Sequence, residues 1–301
     1  MADNWTRFSN ELADLVEGVG QSVVRVEARR RLPATGIVWA ADGLIVTADH
    51  VVQRDEDIRV GLANGEAVSA EIVGRDPATD LALLKADVSG LTAPEWVDPG
   101  ALRTGELVLA LARPGRNVQA AFGVLSAIAK SGEMRRRALG GRLDTWLRPD
   151  VVMYPGFSGG PLVTAAGHLA GLNTSGLTRG APLTIPAPAI RTVVEALGEH
   201  GRVRHGYLGV SSQVVRLPDA LREELGQATG LMVAQVQPES PAERGGILLG
   251  DVIVTFDGAA TETLGDLLAL LSGSRVGSEV ELRVLRGGVL QTLTATIAER
   301  E

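Results

Sequence analysis

Gly156-Phe157-Ser158-Gly159-Gly160-Pro161-Leu162 is the stretch on which the reading of this chain turns. Three glycines surround one serine, and the proline that follows has a fixed φ. Glycine admits backbone conformations that a Cβ blocks, so main-chain N–H groups here are able to converge on one point. A serine beside such donors has what acyl transfer needs: an exposed nucleophile and a place for negative charge. Taken alone, the same residues also fit a glycine-rich turn between two strands, so the partners decide.

Outward from this stretch the chain reads as short strands. From Ser22 come SVVRVEA, GIVWA, LIVTA, IRVGLA, VSAEIVG and LALLKA, separated by turns such as Ala41-Asp42-Gly43 and Ala63-Asn64-Gly65. A second set follows: LVLALA, VQAAFGVLSAIA, TWLRPDVV, PLVTAAG, HLAGLNT and LTIPA. Strands at this spacing predict all-β barrels or sandwiches, and two sets predict two barrels with a cleft between them, joined near Asp98–Thr104. Before them, Trp5, Phe8, Leu12, Leu15 and Val16 recur at helical spacing over residues 5–19, with Ser9 or Asn10 as a candidate cap. After them, Ala189–Glu199 reads as a connector helix. From Arg204 the order is mixed: GYLGVS, helix PDALREELG, LMVAQV, short helix PAERGG, DVIVTFDG, helix TLGDLLALLSG, VELRVLR and LQTLTATI. The expected organisation is an N-terminal helical segment (1–20), a β domain (21–187), a connector helix (188–203) and a small α+β domain (204–301).

Composition sets bounds. The chain has 301 residues, 45% of them hydrophobic but only 3% aromatic, so its cores must be built of Val, Leu, Ile and Ala. A net charge of −7 argues against nucleic acid as a partner. The basic runs Arg29–Arg31 and Arg135–Arg137 lack interleaved aromatics and read as solvated loops. With no cysteine there are no disulfides, thiolate nucleophiles or cysteine-ligated metals, and nothing in the chain calls for a metal or other cofactor. The acidic N-terminus (Asp3, Glu11, Asp14, Glu17) does not resemble a secretory signal. No apolar run approaches the ~18 residues of a membrane span. The expectation is therefore a cytoplasmic protein, or an extracytoplasmic one if the N-terminus was trimmed.

A serine nucleophile needs a base, and there are four histidines: His50, His168, His200 and His205. His50 stands at the end of an apolar strand in Thr47-Ala48-Asp49-His50-Val51-Val52, where a side chain can project into a cleft. His168 lies in a turn, and the other two flank the connector. An acid must orient the imidazole, and Asp80 directly precedes the apolar run Leu81–Leu84. An acid there would be partly buried and in need of a donor.

TADHVV, DPATDLALLK and GFSGGPL, in that order, resemble the three catalytic blocks of the HtrA/DegP-type serine proteases, members of the trypsin-like fold. The order His, Asp, Ser is that of chymotrypsin rather than of subtilisin or the α/β-hydrolases. The resemblance covers about residues 20–300 and implies a mainly β chain: a trypsin-like double β-barrel followed by an α+β PDZ domain. It makes His50 the general base and then acid, Asp80 the orienting acid and Ser158 the nucleophile, with the N–H groups of Gly156 and Ser158 as oxyanion hole. Activity should then rise with pH across the range where an ordinary histidine titrates, about 6.5–7. Trypsin carries an acid just before its serine, which pairs with a new N-terminal amine. Here Phe157 cannot form that pair, so activation by N-terminal trimming is not expected; the family's usual Asn is absent as well. Six residues before the serine, where trypsin reads Lys or Arg with an acid, stands Val152, then Met153. These S1 pocket candidates imply an apolar preference for Val, Ala, Leu or Ile.

In the C-terminal part, Tyr207-Leu208-Gly209-Val210 resembles the carboxylate-binding loop of PDZ domains on HtrA proteases. Ser240-Pro241-Ala242, Gly246 and Gly250-Asp251-Val252-Ile253 strengthen the likeness. The following strand would pair with a peptide. Leu264, Leu267, Leu268 and Leu271 share one helix face, expected partly to line the groove and partly to fill the core. The resemblance further implies unfolded or damaged proteins as substrates, C-terminal peptides at the PDZ domain, a homo-oligomer, by analogy a trimer through Trp5 and Phe8, and a sensor loop at about Ala129–Trp146. Two other readings remain: a catalytically silent peptide-binding holdase or scaffold, and a hydrolase of non-peptide esters.

Overall fold

The structure is a computed structural model that describes residues 2–30, 32–130, 145–177, 182–271 and 275–299. Most of the expected sensor loop, including Arg135–Arg137, lies outside the described residues, as does Arg31. The chain divides into two units at Val203/Arg204.

In the first unit, six strands close one barrel: β1 (Val23–Glu27), β2 (Ala34–Val38), β3 (Leu44–Ala48), β4 (Ile58–Gly61), β5 (Ala67–Asp76) and β6 (Leu81–Ala86), in the spatial order β1-β2-β3-β6-β5-β4. Six more close a second: β7 (Leu107–Ala112), β8 (Gln119–Lys130), β9 (Thr145–Asp150), β10 (Pro161–Thr164), β11 (Leu169–Thr174) and β12 (Leu183–Pro186), in the order β10-β11-β12-β9-β8-β7. The two orders are related by the same pattern of hairpins, all antiparallel. Closure pairs every strand on both sides and leaves no open edge. Aliphatic side chains bury both faces of these strands, among them Ile37, Ile45, Leu81 and Leu83 in the first barrel and Leu125, Leu147 and Leu162 in the second, all fully buried. Register shifts in β5 between Ile72 and Gly74 and in β8 between Leu125 and Ala127 bend these long strands around the barrels.

Two helices attach to the barrels. α1 (Ala2–Gly20) starts earlier than the sequence suggests, so Ser9 and Asn10 lie mid-helix on its exposed side and cap nothing. Its half-buried face carries Phe8, Leu12, Leu15 and Val16, and Phe8 meets Phe122 of β8 edge-on at 6.4 Å. Trp5 remains 73% exposed. α2 (Ala187–His200) begins two residues before Ala189, because proline is tolerated in a first turn. Its buried Ile190, Val193, Val194 and Leu197 follow i, i+3, i+4, i+7 spacing and rest on β5 and β6 of one barrel and β11 and β12 of the other.

The second unit contains a short pair, β13 (Gly206–Tyr207) with β20 (Ala298–Glu299), and a larger antiparallel sheet. That sheet runs β14 (Val210–Arg216), β15 (Thr229–Val236), β16 (Val252–Phe256), β18 (Glu279–Arg286), β19 (Val289–Thr296), with the two-residue β17 (Ala259–Ala260) beside β16. Helices α3 (Asp219–Leu225), α4 (Pro241–Arg244) and α5 (Leu264–Leu270) complete it. α5 opens on a capping box between Thr263 and Asp266. Its core includes Leu208, Leu231, Ile253, Phe256, Leu267, Leu271 and Leu282.

Candidate active site

His50, Asp80 and Ser158 each stand where a strand of the first unit begins or ends. His50 follows β3 on a short 3₁₀ turn, Asp49–Val51. Arg75 of β5 grips that turn: its Nε donates to Asp49 Oδ1 at 2.6 Å and its guanidinium to Val52 O at 2.8 Å. Its hydrogen bond to the Asp49 carboxylate raises the Arg75 pKa above the ordinary value. Asp80 immediately precedes β6 and has φ +57°, a left-handed conformation that Asp and Asn tolerate better than other side chains.

The histidine and the acid are locked together at both backbone and side chain. Asp49 N donates to Asp80 O at 3.0 Å, and His50 N to Asp80 Oδ1 at 2.8 Å. The imidazole Nδ1 lies 2.8 Å from Asp80 Oδ2 and 3.0 Å from Oδ1. A carboxylate only accepts, so Nδ1 carries the proton, and the neutral ring's lone pair is then on Nε2. Asp80 is 4% exposed, and a third donor, the Thr174 hydroxyl, bonds its Oδ2. Gly176 N in turn donates to Thr174 Oγ1 at 2.9 Å. The segment Thr174-Ser175-Gly176 therefore lies across the His–Asp pair. A Cβ on Gly176 would sit 2.5 Å from Asp80 Oδ2 and 2.6 Å from His50 Nδ1, so no larger residue fits there without displacement. The sequence reading missed Thr174, Ser175 and Gly176; nothing in Leu172-Asn173-Thr174-Ser175-Gly176 distinguishes them from an ordinary strand end.

Ser158 is held in a tight turn. Phe157 N donates to Tyr154 O at 3.1 Å, Gly160 N to Phe157 O at 3.0 Å and Gly159 N to Asn173 O at 2.8 Å. Gly156 has φ +99°, and a Cβ there would meet Pro114 at 2.7 Å, so both its torsion and its surroundings require glycine. The N–H groups of Gly156 and Ser158 have no acceptor among the described residues. Ser158 Oγ lies 3.3 Å from Ser175 Oγ, and among the described residues no hydrogen bond joins it to His50. Phe157 is 1% exposed and belongs to the core of the second barrel, with Tyr154 edge-on at 5.9 Å. The turn is thus anchored by an apolar side chain. Val152 is 62% exposed, while Met153 rests against the same core as Phe157.

Two other histidines of this unit stand apart from the constellation: His168 pairs with Glu95 at 3.1 Å and His200 with Glu199 at 3.7 Å, both on the surface. Among the described residues no group of His, Asp and Glu is arranged to hold a metal ion.

In the second unit, Gly209 (φ +89°) separates β13 from β14. The carbonyls of Leu208 and Gly209 accept from Ala242 N and Gln237 N, both at 2.8 Å, and Leu208 itself is buried in the core. β14 is an edge strand with α5 against it, leaving one side of its ladder open to a further strand. Of the four leucines, Leu267 and Leu271 point into the core, Leu268 is half-buried and Leu264 is 37% exposed.

Two antiparallel six-stranded barrels, with His, Asp and Ser at their strand ends, define a trypsin-like peptidase fold; the second unit is a PDZ domain. Family models agree: a trypsin-like peptidase domain matches residues 34–172, and a PDZ domain matches residues 206–297. A "Probable periplasmic serine endoprotease DegP-like" of Marinomonas sp. (strain MWYL1) is 31% identical over 287 residues, 93% of this chain and 60% of its own. One of the same description from Halomonas elongata is 33% identical over 279 residues, 91% of this chain and 57% of its own. The solved structure "HtrA-type protease AlgW with tripeptide" superposes with a TM-score of 0.82 at 32% identity, covering 96% of this chain and 97% of that one. The chain belongs to the HtrA-type serine protease family. It spans 60% or less of the length of these curated relatives.

Proposed function

We propose that this chain is a serine endopeptidase in which Ser158 is the nucleophile, His50 the general base and then acid, and Asp80 the acid that orients it. The observation that carries the reading is the buried Asp80 carboxylate, which receives His50 Nδ1, His50 N and the Thr174 hydroxyl at once. Such an arrangement fixes the ring so that Nε2 is the free base and supports the imidazolium that forms when it takes a proton. Rotation of the Ser158 hydroxyl from Ser175 toward Nε2 begins the reaction. Oγ attacks the scissile carbonyl carbon and its proton passes to Nε2. The carbonyl oxygen becomes an oxyanion held by the N–H groups of Gly156 and Ser158. Collapse breaks the C–N bond, His50 protonates the leaving amine, and water then hydrolyses the acyl-enzyme by the same steps.

Val152 and Met153 are the candidates for an apolar S1 pocket. Tyr207, Leu208, Gly209 and Val210, with Leu264 and Leu268 of α5, are the candidates for holding a C-terminal hydrophobic peptide, which would extend the sheet at β14. The AlgW structures that contain peptides support peptides as partners. Substrates are read as unfolded or damaged proteins, the assembly as a homotrimer through Trp5 and Phe8, and the domain limits as 1–20, 21–187, 188–203 and 204–301. The periplasmic designation of the bacterial relatives favours work outside the cytoplasm over the cytoplasmic expectation. A second reading, a silent holdase, draws support from the Ser158–Ser175 hydrogen bond.

Casein digestion by the full chain and by Ser158→Ala separates the two. The protease reading expects the substitution to lower the rate about 10⁴–10⁶-fold with the circular dichroism spectrum unchanged. Equal rates, or none from either protein, would favour the holdase.

A further inference from the structure

We infer that Thr35, on β2 of the first barrel, is a positioning residue that sets the shape of the anion-binding turn carried by the second barrel. The inference rests on the reading of Ser158 as nucleophile. Thr35 is wholly buried. Its hydroxyl donates to Gly156 O at 2.7 Å and accepts from Arg113 N at 2.9 Å. Its own N–H donates to Ser158 O at 3.3 Å, and its carbonyl accepts from Thr47 Oγ1 at 2.7 Å. One side chain and its amide therefore engage the carbonyls of both residues whose N–H groups form the proposed oxyanion hole.

The consequence follows from peptide planarity. The two donor N–H groups lie in the planes 155–156 and 157–158, and the plane 156–157 is the joint between them. Holding Gly156 O on Thr35 Oγ1 fixes that joint and turns the Phe157 N–H the opposite way, onto Tyr154 O at 3.1 Å. Gly156 lacks the Cβ that restricts Phe157 and Ser158 after it, so its orientation must be imposed from outside. The Thr35 N–H fixes the plane on the far side of Ser158 in the same way.

The chemistry is specific to a hydroxyl. It gives to one buried group while taking from another, and only Ser or Thr offers both at this reach. The amide it accepts from is itself held fast. Arg113 is 6% exposed and its guanidinium donates to the carbonyls of Gly20 at 2.8 Å, Val23 at 2.7 Å and Arg116 at 2.6 Å. Burial, and then nearby Arg25, lower its pKa. The chain of contacts runs from the end of α1 and β1, through Arg113 and Thr35, to the turn that would carry the oxyanion.

Thr35→Val keeps the shape and removes the hydroxyl, whereas Thr35→Ser keeps the hydroxyl. A fluorophosphonate probe over a concentration series gives the maximal labelling rate of Ser158 and the half-saturating concentration separately. For Thr35→Val the maximal rate should fall about 10²-fold, the scale of losing one oxyanion donor. The half-saturating concentration and the pH midpoint of labelling should stay within about two- to threefold and a few tenths of a unit of wild type, since the base is untouched. Thr35→Ser should recover most of the rate. If Thr35→Val does not fold, Thr35→Ala measured below its melting temperature is read in the same way. A folded hydroxyl-free variant that labels as fast as wild type, or a serine variant as slow as the valine one, overturns the role. A wild-type protein that does not label overturns the reading of Ser158 and this role with it.

Discussion

At the scale of single residues, the candidate site is a set of directional bonds on one buried carboxylate. Asp80→Asn isolates what that carboxylate does, because asparagine matches its shape and tolerates φ +57°. Its amide would present a donor to Nδ1 and so favour the wrong tautomer. Casein digestion at neutral pH should fall about 10⁴-fold while the fold persists; a rate within tenfold of wild type would contradict the orienting role. His50, Asp80 and Ser158 were legible in the sequence because each residue type is chemically distinctive in its setting and the three blocks fall in a diagnostic order. Thr174, Ser175 and Thr35 were not. A hydroxyl in a strand is compatible with many neighbours, and only the closed barrels bring Thr35 to Gly156, 121 positions away. Phe157 was noted as unable to form an ion pair, but its burial in the second barrel could not be read from a pattern of residues around it.

At the scale of elements, strand positions followed from runs of Val, Leu, Ile and Ala between turns, and helix ends from less certain signals. α1 and α2 both begin earlier than expected, and α2 has no side-chain cap to mark its start. The run GYLGVS proved to be two strands broken at Gly209, and β14 continues to Arg216, where Ser211, Ser212 and Gln213 interrupt the valines and weaken the apolar signal. In the second unit, Asp251 fastens the start of β16 to β18. Burial pushes its carboxyl up, but the Arg286 guanidinium, at 2.7 and 2.8 Å, and Leu248 N outweigh this and hold it below the usual carboxylate range. A carboxyl whose pKa is lowered by folding stabilises the fold above its unfolded pKa and ceases to do so as pH falls through its folded value. In calorimetry of the full chain, Asp251→Asn should therefore lower the melting temperature of this unit at pH 7. The gap should narrow as pH drops below the usual carboxylate range, about 4. A gap that widens on acidification would contradict the assignment.

At the scale of the whole molecule, the two units offer two different chemistries: a serine turn between barrels in one, and an open sheet edge beside a helix in the other. Among the described residues no helix is long and apolar enough to cross a membrane. Both units were legible as separate because the periodicity changes after Arg204, from strands alone to strands alternating with short helices. Most of the segment expected to be a sensor loop, about Ala129–Trp146, lies outside the described residues. A hydrophobic C-terminal peptide bound by the PDZ domain is proposed to raise the reactivity of Ser158. Fluorophosphonate labelling of the full chain, with and without such a peptide and mapped by mass spectrometry, tests the account most directly. A single adduct on Ser158 is expected, forming faster with the peptide and lost in His50→Ala. A folded protein whose serine stays unmodified under both conditions would contradict it.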